Sequence, residues 1–116
     1  MFIKKYIEDN IPELLNRLYP VFTTDIEHLT IAYRFSPVTG GHTKQYQLEL
    51  KIIGSDYDEC VVMDSRLVKL LDLQDDDLYV RYDGVSFHSE LAGGGVIFND
   101  DVQMFEDTLY FIVNWR

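Results

Sequence analysis

The chain has 116 residues, 47% apolar and 14% aromatic, with 20 acids against 10 bases and a single cysteine. That length fits one domain burying roughly two-thirds of its unfolded surface, and the aromatic content excludes a disordered acidic tail. Lone Cys60 excludes an intrachain disulfide framework and a multi-cysteine zinc site, while the net charge of −10 argues against nucleic acid and anionic membrane as partners.

The first predicted element is helical. Ile3, Ile7, Ile11, Leu14, Leu15 and Leu18 recur at spacings of three and four. The pattern predicts an amphipathic helical region over 2–19, broken near 10–12 by Pro12 and stopped by Pro20. These opening residues scatter charges among apolar positions, so no secretory h-region is expected. No stretch approaches the ~20 apolar residues that cross a bilayer. A cytoplasmic protein with a reduced Cys60 is the expectation.

Strands follow. Leu29, Ile31, Tyr33 and Phe35 alternate with polar neighbours, as do Tyr46, Leu48, Leu50 and Ile52. This predicts an antiparallel hairpin of 29–35 with 46–52, one face dry and one wet, joined across Gly40-Gly41. The run Cys60-Val61-Val62-Met63 reads as a third, buried strand. Residues 65–72 read as a short helix capped by Asp64 or Ser65. Asp83-Gly84 between Leu78–Tyr82 and Val85–His88 predicts a two-residue type I′ hairpin. Gly93-Gly94-Gly95 is expected to break the chain, and Asn99, Asp100 or Asp101 to cap a helical turn through Val102, Met104 and Phe105. Residues 108–116 are apolar on both faces, which predicts a central or helix-covered strand. The sum is a single α+β domain spanning 1–116, with the N-terminal helical region packed on a mainly antiparallel sheet of about five or six strands.

None of the candidate chemistry completes a motif. The three glycines lack the lysine and following helix of a phosphate loop. Asp72, Asp75, Asp76 and Asp77 fail the calcium-loop pattern, because Asp77 stands where that loop needs glycine and Asp83 where it needs glutamate. His28, His42 and His88 share no ligand spacing, and they read as two sheet residues near the wet face and one loop residue. Cys60 sits among Asp56, Asp58, Glu59 and Asp64, whose field raises a thiol pKa instead of activating it. Ser86, His88 and Glu90 fall on one strand face without a nucleophile turn or an oxyanion donor. No catalytic residue, cofactor or metal is expected.

The acids are unevenly placed. Residues 1–55 balance, whereas 56–107 hold fourteen acids against Arg66, Lys69 and Arg81. Within that stretch Tyr57, Tyr79 and Tyr82 lie among Asp58, Asp72, Asp75, Asp76, Asp77 and Asp83. Aromatic area rimmed by carboxylates suits a partner rich in lysine and arginine, so these residues form the expected partner-binding set. In composition and charge layout the chain resembles bacterial immunity proteins that neutralise nuclease toxins. The resemblance implies a basic partner, a toxin nuclease domain, whose active or substrate-binding site is covered by carboxylates standing in for phosphates. The rival expectations are a nucleic-acid mimic or regulatory adaptor on a basic protein, and a small metal-dependent or hydrolytic enzyme.

Overall fold

Alternation in the middle of the chain produces the sheet. The computed structural model describes residues 2–20, 28–39, 44–74 and 78–116. Strand β2 (Thr30–Thr39) pairs antiparallel with β3 (Lys44–Gly54), setting Ile31 opposite Ile52 and Phe35 opposite Leu48. Beside β3 lies β6 (Met104–Trp115), with Leu48 opposite Phe111 and Leu50 opposite Leu109. Strand β5 (Val85–Asn99) covers the other edge of β6, and the three-residue β4 (Val80–Tyr82) pairs with the start of β5. A short parallel strand β1 (Leu18–Pro20) completes the order β1-β2-β3-β6-β5-β4. The fold is α+β with one six-stranded, mostly antiparallel sheet, as the hydrophobic pattern predicts, and β6 is central.

The dry face carries Ile31, Leu48, Leu50, Ile52, Phe111 and Val113, all fully buried. Tyr33 and Phe35, on the same alternation, are only half-buried. Helix α1 (Phe2–Asn10) reaches the sheet through its rings: Phe2 lies 5.6 Å from Phe87 and 5.3 Å from Trp115, and Tyr6 lies 5.1 Å from Phe87. Leu67 and Leu71 of α2 (Tyr57–Leu71) join the same core. No helix among the described residues is long and apolar enough to cross a membrane.

Four local expectations are corrected. The helical region ends at Asn10, not Tyr19. Pro12 opens a 3₁₀ turn (Pro12–Leu14), and Asn16 turns left-handed at φ 65°. The Arg17 carbonyl then accepts the Ile31 amide at 2.9 Å and leads the chain into β1. Leu14 and Leu18 are buried as a helix would bury them, but by a turn and a strand.

Cys60–Met63 is helical, and the helix read over 65–72 begins eight residues earlier. The Asp56 carboxylate caps α2 by accepting the Asp58 amide at 2.9 Å, and Asp58 and Glu59 suit the positive end of the helix dipole. Cys60, Met63, Leu67 and Leu71 form its buried stripe, leaving Val61 and Val62 outside. Gly93–Gly95 does not break the chain. Strand β5 runs through it with a bulge between Leu91 and Gly93. A Cβ on Gly94 would meet the Thr108 carbonyl oxygen at 2.3 Å, so glycine allows the close approach to β6. Finally, 99–105 forms a hairpin in place of a helical turn. The Asn99 side chain accepts the Asp101 amide at 3.0 Å, and Gln103 adopts φ 56° before β6 begins. The capping chemistry was real but served a turn. At the second hairpin, Asp83 (φ 51°) and Gly84 (φ 77°) both take positive φ, as a type I′ turn requires.

Ile31→Ala or Leu50→Ala is expected to cost about 2–5 kcal/mol in urea-induced unfolding, because each deletes a fully buried side chain. Val62→Ala, on the outer face of α2, is expected to stay within about 0.5 kcal/mol of wild type. Equal losses at the three positions would contradict the assigned faces.

Candidate interaction surface

The residues expected to bind a partner separate into two groups. Tyr57 and Asp58 open α2, whereas Asp72 closes it, about 20 Å away along the axis of a helix this long. Asp75, Asp76 and Asp77 lie outside the described residues.

The group near the end of α2 is engaged within the fold. An Asp72 carboxylate oxygen accepts the Leu91 amide at 3.1 Å, tying the helix end to β5. The Tyr79 ring lies 5.8 Å from the His88 ring, centroid to centroid, and the Arg116 guanidinium lies 4.8 Å from the Tyr79 centroid. Tyr82 packs on Tyr6 and donates its hydroxyl to Asp9, which pushes the phenol pKa up to about 12. Asp83 faces Lys5 at 3.9 Å.

The other end of α2 differs. Tyr57 meets Phe105 edge-on at 5.4 Å, and Phe105 meets Phe98 at 4.8 Å. Tyr57 and Phe98 remain 48% and 43% exposed, with Val61 one turn along α2 and Val96 two residues along β5 also exposed on that side. Asp56, Asp58 and Glu59 surround the helix end, and Asp100 and Asp101 occupy the turn that joins β5 to β6. Among the described residues, the ion pairs engage Glu8, Glu13, Glu49, Asp83, Glu90 and Glu106, and none of these five carboxylates. An exposed apolar patch beside acids that no ion pair among the described residues engages has the anatomy of an interface: an apolar centre and a charged rim.

One further carboxyl pair lies beneath α2. Asp107 points from β6 into the core face, is 3% exposed, and has Asp64 of the helix as its neighbouring carboxyl. Burial first, and then Asp64, push its pKa up to about 7. Two carboxyls in contact hold one proton between them more easily than two charges. Burial, with the fields of Asp107, Glu59 and Asp56, pushes the Cys60 thiol up to about 11, so it is not poised as a nucleophile.

His88, read as lying near the wet face, is instead 4% exposed. Its Nδ1 lies 2.6 Å from the Leu78 carbonyl and its Nε2 2.9 Å from Glu90, so both ring nitrogens already face protein acceptors. His28 lies in an exposed bend and not in a strand, and His42 is outside the described residues. No group of three or more metal-ligating side chains occurs among the described residues.

Compared with known protein families and with curated proteins, the chain matches none. Tyr57 and Asp58 were legible as surface residues from sequence, but Phe98 and Phe105 were missed. The available signal was the apolar run Val96-Ile97-Phe98 directly after the glycines, together with Tyr57 and Val61 one helical turn apart.

Asp107 binds a proton in the folded state up to about pH 7, whereas in the unfolded chain it ionises near 3.8. Between those values the folded state holds more protons, so stability contributed by the protonated pair falls as pH rises, by at most about 1.4 kcal/mol per unit. The protein is expected to melt at a higher temperature at pH 5 than at pH 7.5, and Asp107→Asn to flatten that slope. Identical slopes for wild type and variant would contradict a shared proton at this site.

Proposed function

We propose that the chain is a small acidic binding protein of the immunity type, which acts in the cytoplasm by covering the active or substrate-binding site of a basic, nuclease-type toxin. The observation that carries this reading is the exposed Tyr57–Phe98 patch ringed by Asp56, Asp58, Glu59, Asp100 and Asp101. A nuclease site is basic because it must hold phosphates, so carboxylates on a rigid surface compete for the same lysines and arginines. The apolar centre adds contact area at low entropic cost, and the acids steer the encounter. At physiological salt the Debye length is about 8 Å, so carboxylates beside the contact retain influence while distant ones are screened. Acids elsewhere already have work within the fold: Glu8 with Lys4, Glu13 with Arg66, and Asp9 with Tyr82. The engaged His88 and the high-pKa Cys60 thiol favour a binder over a hydrolase.

Titration against a panel of basic ribonuclease and deoxyribonuclease toxin domains, read by cleavage of a fluorescent RNA or DNA substrate, tests the reading. Stoichiometric inhibition of a panel member is expected, and Tyr57→Ala or Phe98→Ala should weaken it by roughly thirtyfold if either ring is a central anchor. Full nuclease activity across the panel at saturating protein would contradict the proposal.

A further inference from the structure

The edge of β5 carries an inference that rests on the basic-partner reading and deepens it. Strand β4 pairs only as far as Phe87, and residues 72–73 then serve the edge through the Leu73 amide on the Ser89 carbonyl, at 2.9 Å, and Asp72 on the Leu91 amide. Beyond Leu91, no strand among the described residues pairs with the outer edge of β5. Ser86 and Arg116 exchange both backbone bonds at 3.0 Å, which fixes the even-numbered residues of β6 as those facing β5. Their partners beyond the bulge are Gly93, Gly95, Ile97 and Asn99. The backbone N–H and C=O groups of Gly94, Val96 and Phe98 therefore point outward. The extra residue at Ala92 has moved the outward positions from odd to even numbers.

Sheet proteins ordinarily protect such an edge with charge, proline or short length. Residues 91–99 (Leu-Ala-Gly-Gly-Gly-Val-Ile-Phe-Asn) have no charge and no proline. By register, Val96 shares a face with Asp107 and Phe98 with Phe105, the face on which Tyr57 of α2 stands. An open strand edge with a helix end beside it is a ready receptor for an extended segment, whose main chain extends the ladder while alternate side chains pack on the face beside the helix.

We propose that β5 receives an extended, lysine- or arginine-bearing segment of the basic partner as an added strand, hydrogen-bonded to Gly94, Val96 and Phe98. Charge decides the occupant. Self-pairing of two copies in antiparallel fashion about Gly95 would set Asp100 opposite Glu90 and bring together two chains of charge −10. A segment with bases near the Asn99 end instead meets Asp56, Asp58, Glu59, Asp100 and Asp101. Its apolar side chains lie beside Tyr57, Val96 and Phe98.

The test uses two synthetic decapeptides of alternating Val/Thr and charged residues, one with lysine and one with glutamate at the charged positions. Amide hydrogen exchange of the wild-type protein is followed by NMR. The lysine peptide is expected to slow exchange at Gly94, Val96 and Phe98 by about tenfold or more, leaving Gly93, Gly95 and Ile97 little changed because the β6 ladder already protects them. The glutamate peptide should do neither. Val96→Pro removes one outward donor that the β6 ladder does not use, and should weaken lysine-peptide binding about tenfold, while Val96→Ala retains the donor and most of the affinity. The exchange measurement needs no variant, so it stands whether or not the proline variant folds. Lysine-peptide binding that leaves the three amides unprotected overturns strand addition but not the basic-partner reading, as does binding indifferent to Val96→Pro in a folded variant. Equal binding of the two peptides, or no binding of either, overturns both. Protection that appears without peptide, rising with protein concentration alongside a dimer in sedimentation, replaces the partner strand with a second copy.

Discussion

The antiparallel ladder of β6 is the constraint on which the rest of the molecule depends. It pairs with β3 along one edge and β5 along the other, and it contributes Leu109, Phe111 and Val113 to the core. A strand paired on both edges can be apolar on both faces only where each face is covered or half-covered, which suits the sequence of 108–116. Because β6 is twelve residues long, it holds β5 extended to Asn99. Strand β4 is only three residues long, so it cannot follow β5 that far. The open edge is a consequence of this mismatch in strand lengths.

The same ladder organises the electrostatics. At one end, aromatic rings from α1 and the sheet pack together, and nearby acids meet Lys4, Lys5, Arg66 or a tyrosine hydroxyl. At the other end, Asp56 caps α2 and Asp107 is turned into the core, where burial first and then Asp64 push its pKa up to about 7. These fixed roles place carboxylates around an apolar patch with no ion pair to a base among the described residues. Folding stability gains little from such crowding of like charge, which gives the arrangement a functional meaning in the proposed reading.

Much of the fold was legible because period-two alternation is hard to imitate. The antiparallel pairing of 29–35 with 46–52, the Asp83-Gly84 turn and the central closing strand all follow from side-chain pattern and turn chemistry. Short apolar runs were less informative. Cys60–Met63 has four consecutive apolar residues, and only the stripe continuing through Leu67 and Leu71, with Asp56 as cap, distinguishes a helix from a strand. Glycines misled for a related reason: a bulge and a chain break use the same residue, and the choice depends on the strand alongside. The candidate surface was half legible. Tyr57 and Asp58 stand on it, but their distance from Asp72 is a property of α2, and their neighbours Phe98 and Phe105 arrive through β-pairing that no local spacing encodes.

The central claim is that the acids around the Tyr57–Phe98 patch guide a basic partner onto it. The most direct measurement is the association rate with an inhibited nuclease as a function of salt, for wild type and for a variant carrying D56N, D58N, E59Q, D100N and D101N. Asparagine retains the helix cap, so the fold should persist. The account predicts a wild-type rate that falls steeply with salt, and a variant rate that is lower and nearly flat. Superimposable salt dependences for the two folded proteins would contradict it.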